Sequence, residues 1–107
     1  MNALNRRKLP AAGDNMVIIR GVNLYPSAVD AAIRAVGGVR EYQVEVDKRR
    51  TLPEVTVRFE STAGGRPATE LAKHLRATFQ LRIEVEPVPT DTLPVFEMKA
   101  RRWKILT

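Results

Sequence analysis

From Val39 the chain alternates. Tyr42, Val44 and Val46 take every second position, with Glu41, Gln43, Glu45 and Asp47 between them, the period of a strand with one face buried and one in water. After the stretch "KRRTLP" the period returns, with Val55, Val57 and Phe59 set against Glu54, Thr56, Arg58 and Glu60. Two such runs about a turn predict an antiparallel hairpin. On either side the period lengthens to that of a helix. Val29, Ile33 and Val36 recur at spacings of four and three behind Pro26, with Ala28 and Ala32 widening the stripe, and Gly37-Gly38 ends it. Proline suits a first helical turn and glycine a helix end. "GGRP" breaks the second strand, and behind Pro67 the residues Leu71, Leu75 and Phe79 repeat every four positions as a second helix.

Two apolar runs complete the order. "MVIIRG", from Met16 to Gly21, is short and rich in β-branched residues, which predicts a buried strand followed by the loop "GVNLYP". "LRIEVEPVP" supplies an alternating strand through Ile83 and Val85, and from Thr90 the chain reads as a basic tail. The order β-α-β-β-α-β predicts an α+β, ferredoxin-like fold: an antiparallel sheet with two helices on one face. Val29, Ile33, Leu71, Leu75 and Phe79 are expected to pack against Val44, Val55 and Val57.

A chain of 107 residues suits one domain. Residues 1–13 read as a linker and 14–107 as the folded unit. No apolar run approaches the roughly 18 residues of a membrane span, and the opening stretch lacks the apolar centre of a secretory signal. This points to a soluble, cytoplasmic protein with no membrane partner. The absence of cysteine excludes disulfides and thiolate chemistry, and a single histidine, His74, cannot assemble a metal site or a serine triad. Set among helix positions with no acid or metal partner in view, His74 reads as a surface residue. No metal ligand set is expected. Eighteen Lys and Arg against twelve Asp and Glu leave a net charge of +6, which favours anionic partners such as nucleotides, coenzymes or nucleic acid. Charge does not choose among these.

Once periodicity has accounted for the rest, two stretches remain. "IIRGVNLYPSAV" resembles the Arg-Gly-Val-Asn-aromatic-Pro segment of phenylacetate-CoA ligases, and "LPVFEMKARRW" resembles that family's closing Leu-Pro-x-x-Glu-Gly-Lys-Ala-x-Arg. The elements between the motifs are those of the small C-terminal lid domain of such adenylate-forming enzymes. The resemblance runs from about Asp14 to Arg102.

It implies that Lys99 serves adenylation, near the acyl carboxylate and the α-phosphate. It further implies that Gly21, Val22 and Asn23 line the CoA tunnel during thioester formation, that Asp14 is the hinge about which the lid turns, and that Arg102 contributes to cofactor binding. ATP with Mg, and coenzyme A, would then sit at the interface with a large N-terminal AMP-binding domain, supplied in cis or in trans. The substrate would be an aromatic or other small carboxylic acid. Ala12 stands where the family has an arginine, and Met98 where it has a glycine. With no phosphate-binding loop of its own, the domain is not expected to be active alone or to hold a cofactor alone. Two other classes stay open on the residues: a basic ferredoxin-like module that binds nucleic acid, disfavoured by the polar exposed strand positions, and an ACT-like regulatory domain. A dimer is left open as well.

Overall fold

In the computed structural model, which describes residues 16–62, 67–93 and 102–107, the described residues form eight elements. They are β1 (Val17–Ile19), β2 (Val22–Leu24), α1 (Pro26–Val36), β3 (Val39–Asp47), β4 (Glu54–Ser61), α2 (Pro67–Phe79), β5 (Ile83–Val88) and β6 (Trp103–Leu106). The hairpin read from the alternation is β3 and β4, paired antiparallel with Tyr42 opposite Phe59, Val44 opposite Val57 and Val46 opposite Val55. Directly opposed residues share a face, so these six make one apolar row, and all six are buried.

Both helices cover that row. Val29, Ala32 and Ile33 of α1 and Leu71 and Leu75 of α2 belong to the same buried cluster, while Phe79 is only partly buried against it. Pro26 opens α1, whose first turn is closed by the amides of Ala28 and Val29 on the Tyr25 carbonyl. Gly37 ends it at φ +79°. Helix α2 has no glycine to end it, and Gln80 takes a positive φ of 53° with its amide on the Arg76 carbonyl.

The α+β, ferredoxin-like class stands, but the sheet differs from the expected one in membership and direction. Its order is β5-β4-β3-β6, and it is mixed: β5 runs parallel to β4, and β6 parallel to β3. The sheet is therefore not antiparallel throughout. Strands joined through a helix return in the same direction, and α2 is such a crossover between β4 and β5. The run from Met16, expected within the sheet, instead gives β1, which pairs with β2 as a separate two-stranded hairpin. The place it was expected to fill goes to β6, from the stretch read as tail, with Trp103 opposite Val44 and Leu106 opposite Asp47. Ile19 and Leu24 nevertheless join the main core, which fixes the small hairpin to the body of the domain.

Candidate functional site

The segment read as strand and loop is a tight turn. Ile19 pairs with Val22, leaving Arg20 and Gly21 as the turn residues, at φ 51° and 80°. Two central residues at positive φ define the mirror-image turn that matches the twist of paired strands. Glycine reaches that region without strain, whereas a residue with a Cβ does not. A Cβ built on Gly21 would meet no atom within 4 Å, so the requirement for glycine here is torsional and the space beside it is open. Val22 and Asn23 are the first residues of β2, Val22 packed against the core and Asn23 exposed. The Nε of Arg20 donates to the Pro53 carbonyl at 3.1 Å, tying the turn to the β3–β4 connection. The structure thus brings Gly21, Val22 and Asn23 together on one hairpin.

Lys99 and Asp14 lie outside the described residues, as does Arg101. Arg102 is described, and its guanidinium is turned inward with only 11% of the side chain exposed. Its Nε donates to Glu41 Oε1 at 2.7 Å, and its guanidinium carbon lies 5.1 Å from the centre of the Tyr42 ring, within cation–π range. Burial is the largest influence on Arg102 and opposes its charge, but the Glu41 hydrogen bond and the charges of Glu41, Tyr42 and Asp30 together outweigh it and raise the guanidinium pKa further. The Tyr42 hydroxyl donates to Asp30 Oδ1 at 2.7 Å. Burial first, and then that bond, push the phenol well above its ordinary range.

Two acids that strand phase assigns to the solvent face are buried. Glu41 is 7% exposed and Glu60 0%, and they are directly opposed across β3 and β4. Like charges so placed repel, and each is answered from outside the pair. Glu41 receives Arg102. Glu60 receives Arg40 Nη1 on Oε1 and the Leu93 amide on Oε2, both at 2.7 Å. A register shift between Val39 and Glu41 makes Arg40 the extra residue of a bulge, a device that re-aims a side chain. Arg40 also reaches Asp91 at 2.9 Å, and Asp91 sits at φ 69° in a turn closed by the Thr92 amide on the Pro89 carbonyl. Sequence reasoning missed both acids. The available signal was their opposition: once Val44 is paired with Val57, Glu41 must face Glu60, and two opposed carboxylates call for cations.

The Leu93 amide, acting against burial and helped by Arg40, holds Glu60 below the usual glutamate range, and the Arg49 side chain holds Asp47 down to about 2. Unfolded carboxylates bind protons near pH 4, about two units above the folded value of Asp47. The stability these groups confer is therefore present above about pH 4 and lost as the pH falls through their folded values. Melting followed by circular dichroism is expected to give a flat Tm down to about pH 5 and a fall below it. Glu60→Gln is expected to lower Tm at neutral pH and to flatten that fall. An unchanged slope in the variant would show that Glu60 is not among the groups responsible.

The outer face of the sheet is polar and internally paired. Arg58 donates from Nη1 to Glu45 at 3.0 Å and from Nε to Glu86 at 2.8 Å, so the cation at its centre is already matched. His74 is exposed on α2. Among the described residues no group of three acidic or histidine side chains could hold a metal ion, and no helix is long and apolar enough to cross a membrane.

Comparison with known proteins bears on what this arrangement is for. A stretch of 48 residues, 44% of this chain, is 44% identical to phenylacetate-coenzyme A ligase of Thermus thermophilus, of which it spans 11%. The fold superposes with a TM-score of 0.74 on a domain of phenylacetate-coenzyme A ligase from Bacteroides vulgatus, at 24% identity over 90% of this chain and 96% of that one. With 2-hydroxyisobutyryl-CoA ligase, solved with 2-HIB-AMP and CoA in the thioesterification state, the TM-score is 0.75 at 28% identity, over 87% of this chain and 21% of that one. The chain therefore spans about a tenth of the curated relative and about a fifth of the 2-hydroxyisobutyryl enzyme. Residues 21–104 match the family of AMP-binding enzyme C-terminal domains, so Gly21, both buried acids and the first half of β6 fall within one family match, and the chain belongs to that family.

Proposed function

We propose that this chain is the mobile C-terminal domain of an acyl-CoA ligase similar to phenylacetate-CoA ligase, working against a large N-terminal AMP-binding domain in cis or in trans. The observation that carries this reading is that the match to C-terminal domains of AMP-binding enzymes encloses both Gly21 and Lys99. The likeness to a ligase solved with an acyl adenylate and CoA supports it.

In the first half-reaction a carboxylate oxygen attacks the α-phosphorus of ATP, an O–P bond forms, and the bond to pyrophosphate breaks. The Lys99 ammonium stabilises the charge that builds on the phosphoryl oxygens, an effect worth several kcal/mol in a closed, water-poor site. A compact ammonium suits this task better than a planar guanidinium. Mg accompanies ATP. In the second half-reaction the CoA sulfur attacks the acyl carbon and AMP leaves with the bonding pair. The domain then presents the β1–β2 hairpin, where the bare backbone of Gly21 leaves room for the pantetheine arm and Val22 and Asn23 flank it. Asp14 serves as the hinge, and Arg102, bound to Glu41, positions the chain that follows Lys99. The acid substrate is aromatic or otherwise small, and its pocket belongs to the large domain.

Because the phosphate and adenine sites also belong to that domain, calorimetry of the isolated chain with ATP is expected to show no micromolar binding. Added to a phenylacetate-CoA ligase truncated before its own C-terminal domain, the chain is expected to stimulate acid-dependent ATP–pyrophosphate exchange. Micromolar ATP binding by the chain alone, or exchange that does not respond to it, would overturn the reading.

A further inference from the structure

A cleft of about 230 Å³ opens beside the β1–β2 turn, lined by Arg20, Glu54, Val55, Arg82 and Glu84. Arg20 comes from the turn, Glu54 and Val55 from the start of β4, and Arg82 and Glu84 from the start of β5 and the residue before it. Parallel pairing sets Val55 beside Ile83 and Thr56 beside Glu84, so both strands begin at the same end of the sheet, where the turn meets them. The four charges are two of each sign, but they are not equally available. Arg82 Nε donates to Glu84 Oε2 at 2.8 Å, whereas Arg20 and Glu54 form no ion pair among the described residues. Arg20 engages the Pro53 carbonyl through Nε alone. That bond fixes the plane of the guanidinium and leaves its two Nη groups for a ligand.

Arginine is also a poor fit to its own backbone. It sits at φ 51°, where a turn of this type prefers asparagine or glycine. Strain of this kind collects at ligand sites, and here it falls on the residue whose side chain lines the cleft. The next residue is Gly21, past which the ligase reading runs the pantetheine arm. That arm continues into a nucleotide bearing phosphates and a free ribose hydroxyl.

We infer that this cleft takes the phosphate-bearing nucleotide end of CoA. Arg20 binds a phosphate through its Nη groups, Arg82 adds positive charge from the rim, where its side chain is 75% exposed, and Glu54 accepts from the ribose hydroxyl. A guanidinium can meet two phosphate oxygens at once, and such bonds are charge-assisted. The cleft is smaller than those that enclose a whole drug-sized molecule, which suits a ribose phosphate rather than the entire coenzyme. The inference rests on the ligase reading and assigns the cleft to thioester formation alone.

The test follows thioester formation from preformed acyl adenylate, with the chain added to the truncated ligase, and compares CoA with pantetheine, which lacks the nucleotide. Arg20→Asn removes the guanidinium and supplies a residue that accepts positive φ, so it is expected to melt within a few degrees of wild type. It is expected to raise KM for CoA about tenfold, the lower end of what a hydrogen bond to a charged group contributes, with kcat within about twofold. KM for pantetheine and the rate of ATP–pyrophosphate exchange are expected to stay within about twofold. Arg82→Gln is expected to raise KM for CoA about threefold, and Arg20→Lys to recover part of the loss at low salt and little of it at high salt.

A KM for pantetheine that rises as far as that for CoA would show that Arg20 serves only the turn, and would overturn the inference. An equal loss in ATP–pyrophosphate exchange would overturn it as well. If the wild-type chain stimulates neither half-reaction, the ligase reading falls and this inference falls with it. If it stimulates both, and the Arg20→Asn and Arg82→Gln chains use CoA as wild type does, only the inference falls.

Discussion

Lys99→Ala, assayed with the large domain present, is expected to slow acyl-adenylate formation by about 100-fold or more, the range seen when one preorganised donor is removed from a developing anion. A factor of 100 corresponds to about 2.7 kcal/mol of transition-state stabilisation. Thioester formation from preformed acyl adenylate is expected to change by less than about twofold, because the charge that Lys99 meets no longer builds up in that step. Arg101→Ala supplies the contrast. If the basic residues near the C-terminus act as a diffuse charge patch, Lys99→Ala and Arg101→Ala will cost the same and both losses will shrink with salt, as screened surface charge does. If Lys99 is the working group, its loss is much the larger and persists at high salt. Rapid-quench measurement of adenylate at two ionic strengths separates the two.

The second large effect is expected at the hairpin, where Gly21→Leu should reverse the pattern: thioester formation slowed about tenfold or more, adenylation within about threefold. Two causes would combine in leucine. Its backbone is strained at φ 80°, by about 1–2 kcal/mol for an L-residue in the left-handed region, and its side chain would fill the open space beside the turn. Gly21→Asn separates them. Asparagine tolerates positive φ far better than leucine, and a Cβ meets nothing within 4 Å in the domain itself, so this variant is expected to melt close to wild type. It still puts a side chain where the backbone was bare. Slow thioester formation in a well-folded Gly21→Asn would therefore locate the obstruction outside this domain, in the path of the coenzyme arm. Wild-type thioester formation by Gly21→Asn would mean that the glycine serves only its turn.

Several features of the fold follow from residue order alone. The period of two across β3 and β4 put Tyr42, Val44, Val46, Val55, Val57 and Phe59 on one face, and all six are buried there. The stripes of α1 and α2 were equally legible, with Pro26 and Gly37 marking the ends of α1. These are local properties: side-chain direction repeats with the backbone, so the buried face can be read within one element. The stretch around Gly21 stood out too, since it remains when periodicity has been assigned, and it forms the β1–β2 turn.

Pairing and burial of charge were not legible in the same way. Nothing within "MVIIRG" says that its strand turns back at Arg20 and pairs with Val22–Leu24 rather than joining the sheet, and nothing within Trp103–Leu106 says that it lies parallel to β3. A strand's own pattern specifies which face is apolar, while its neighbour is chosen by every other strand competing for the same edge. The acids show the same limit more sharply. Strand phase sends Glu41 and Glu60 to water, and they are buried because an arginine 61 residues away and an amide 33 residues away come to meet them. Desolvating a carboxylate is unfavourable until its partners are in place, and those partners exist only once the chain has closed on itself.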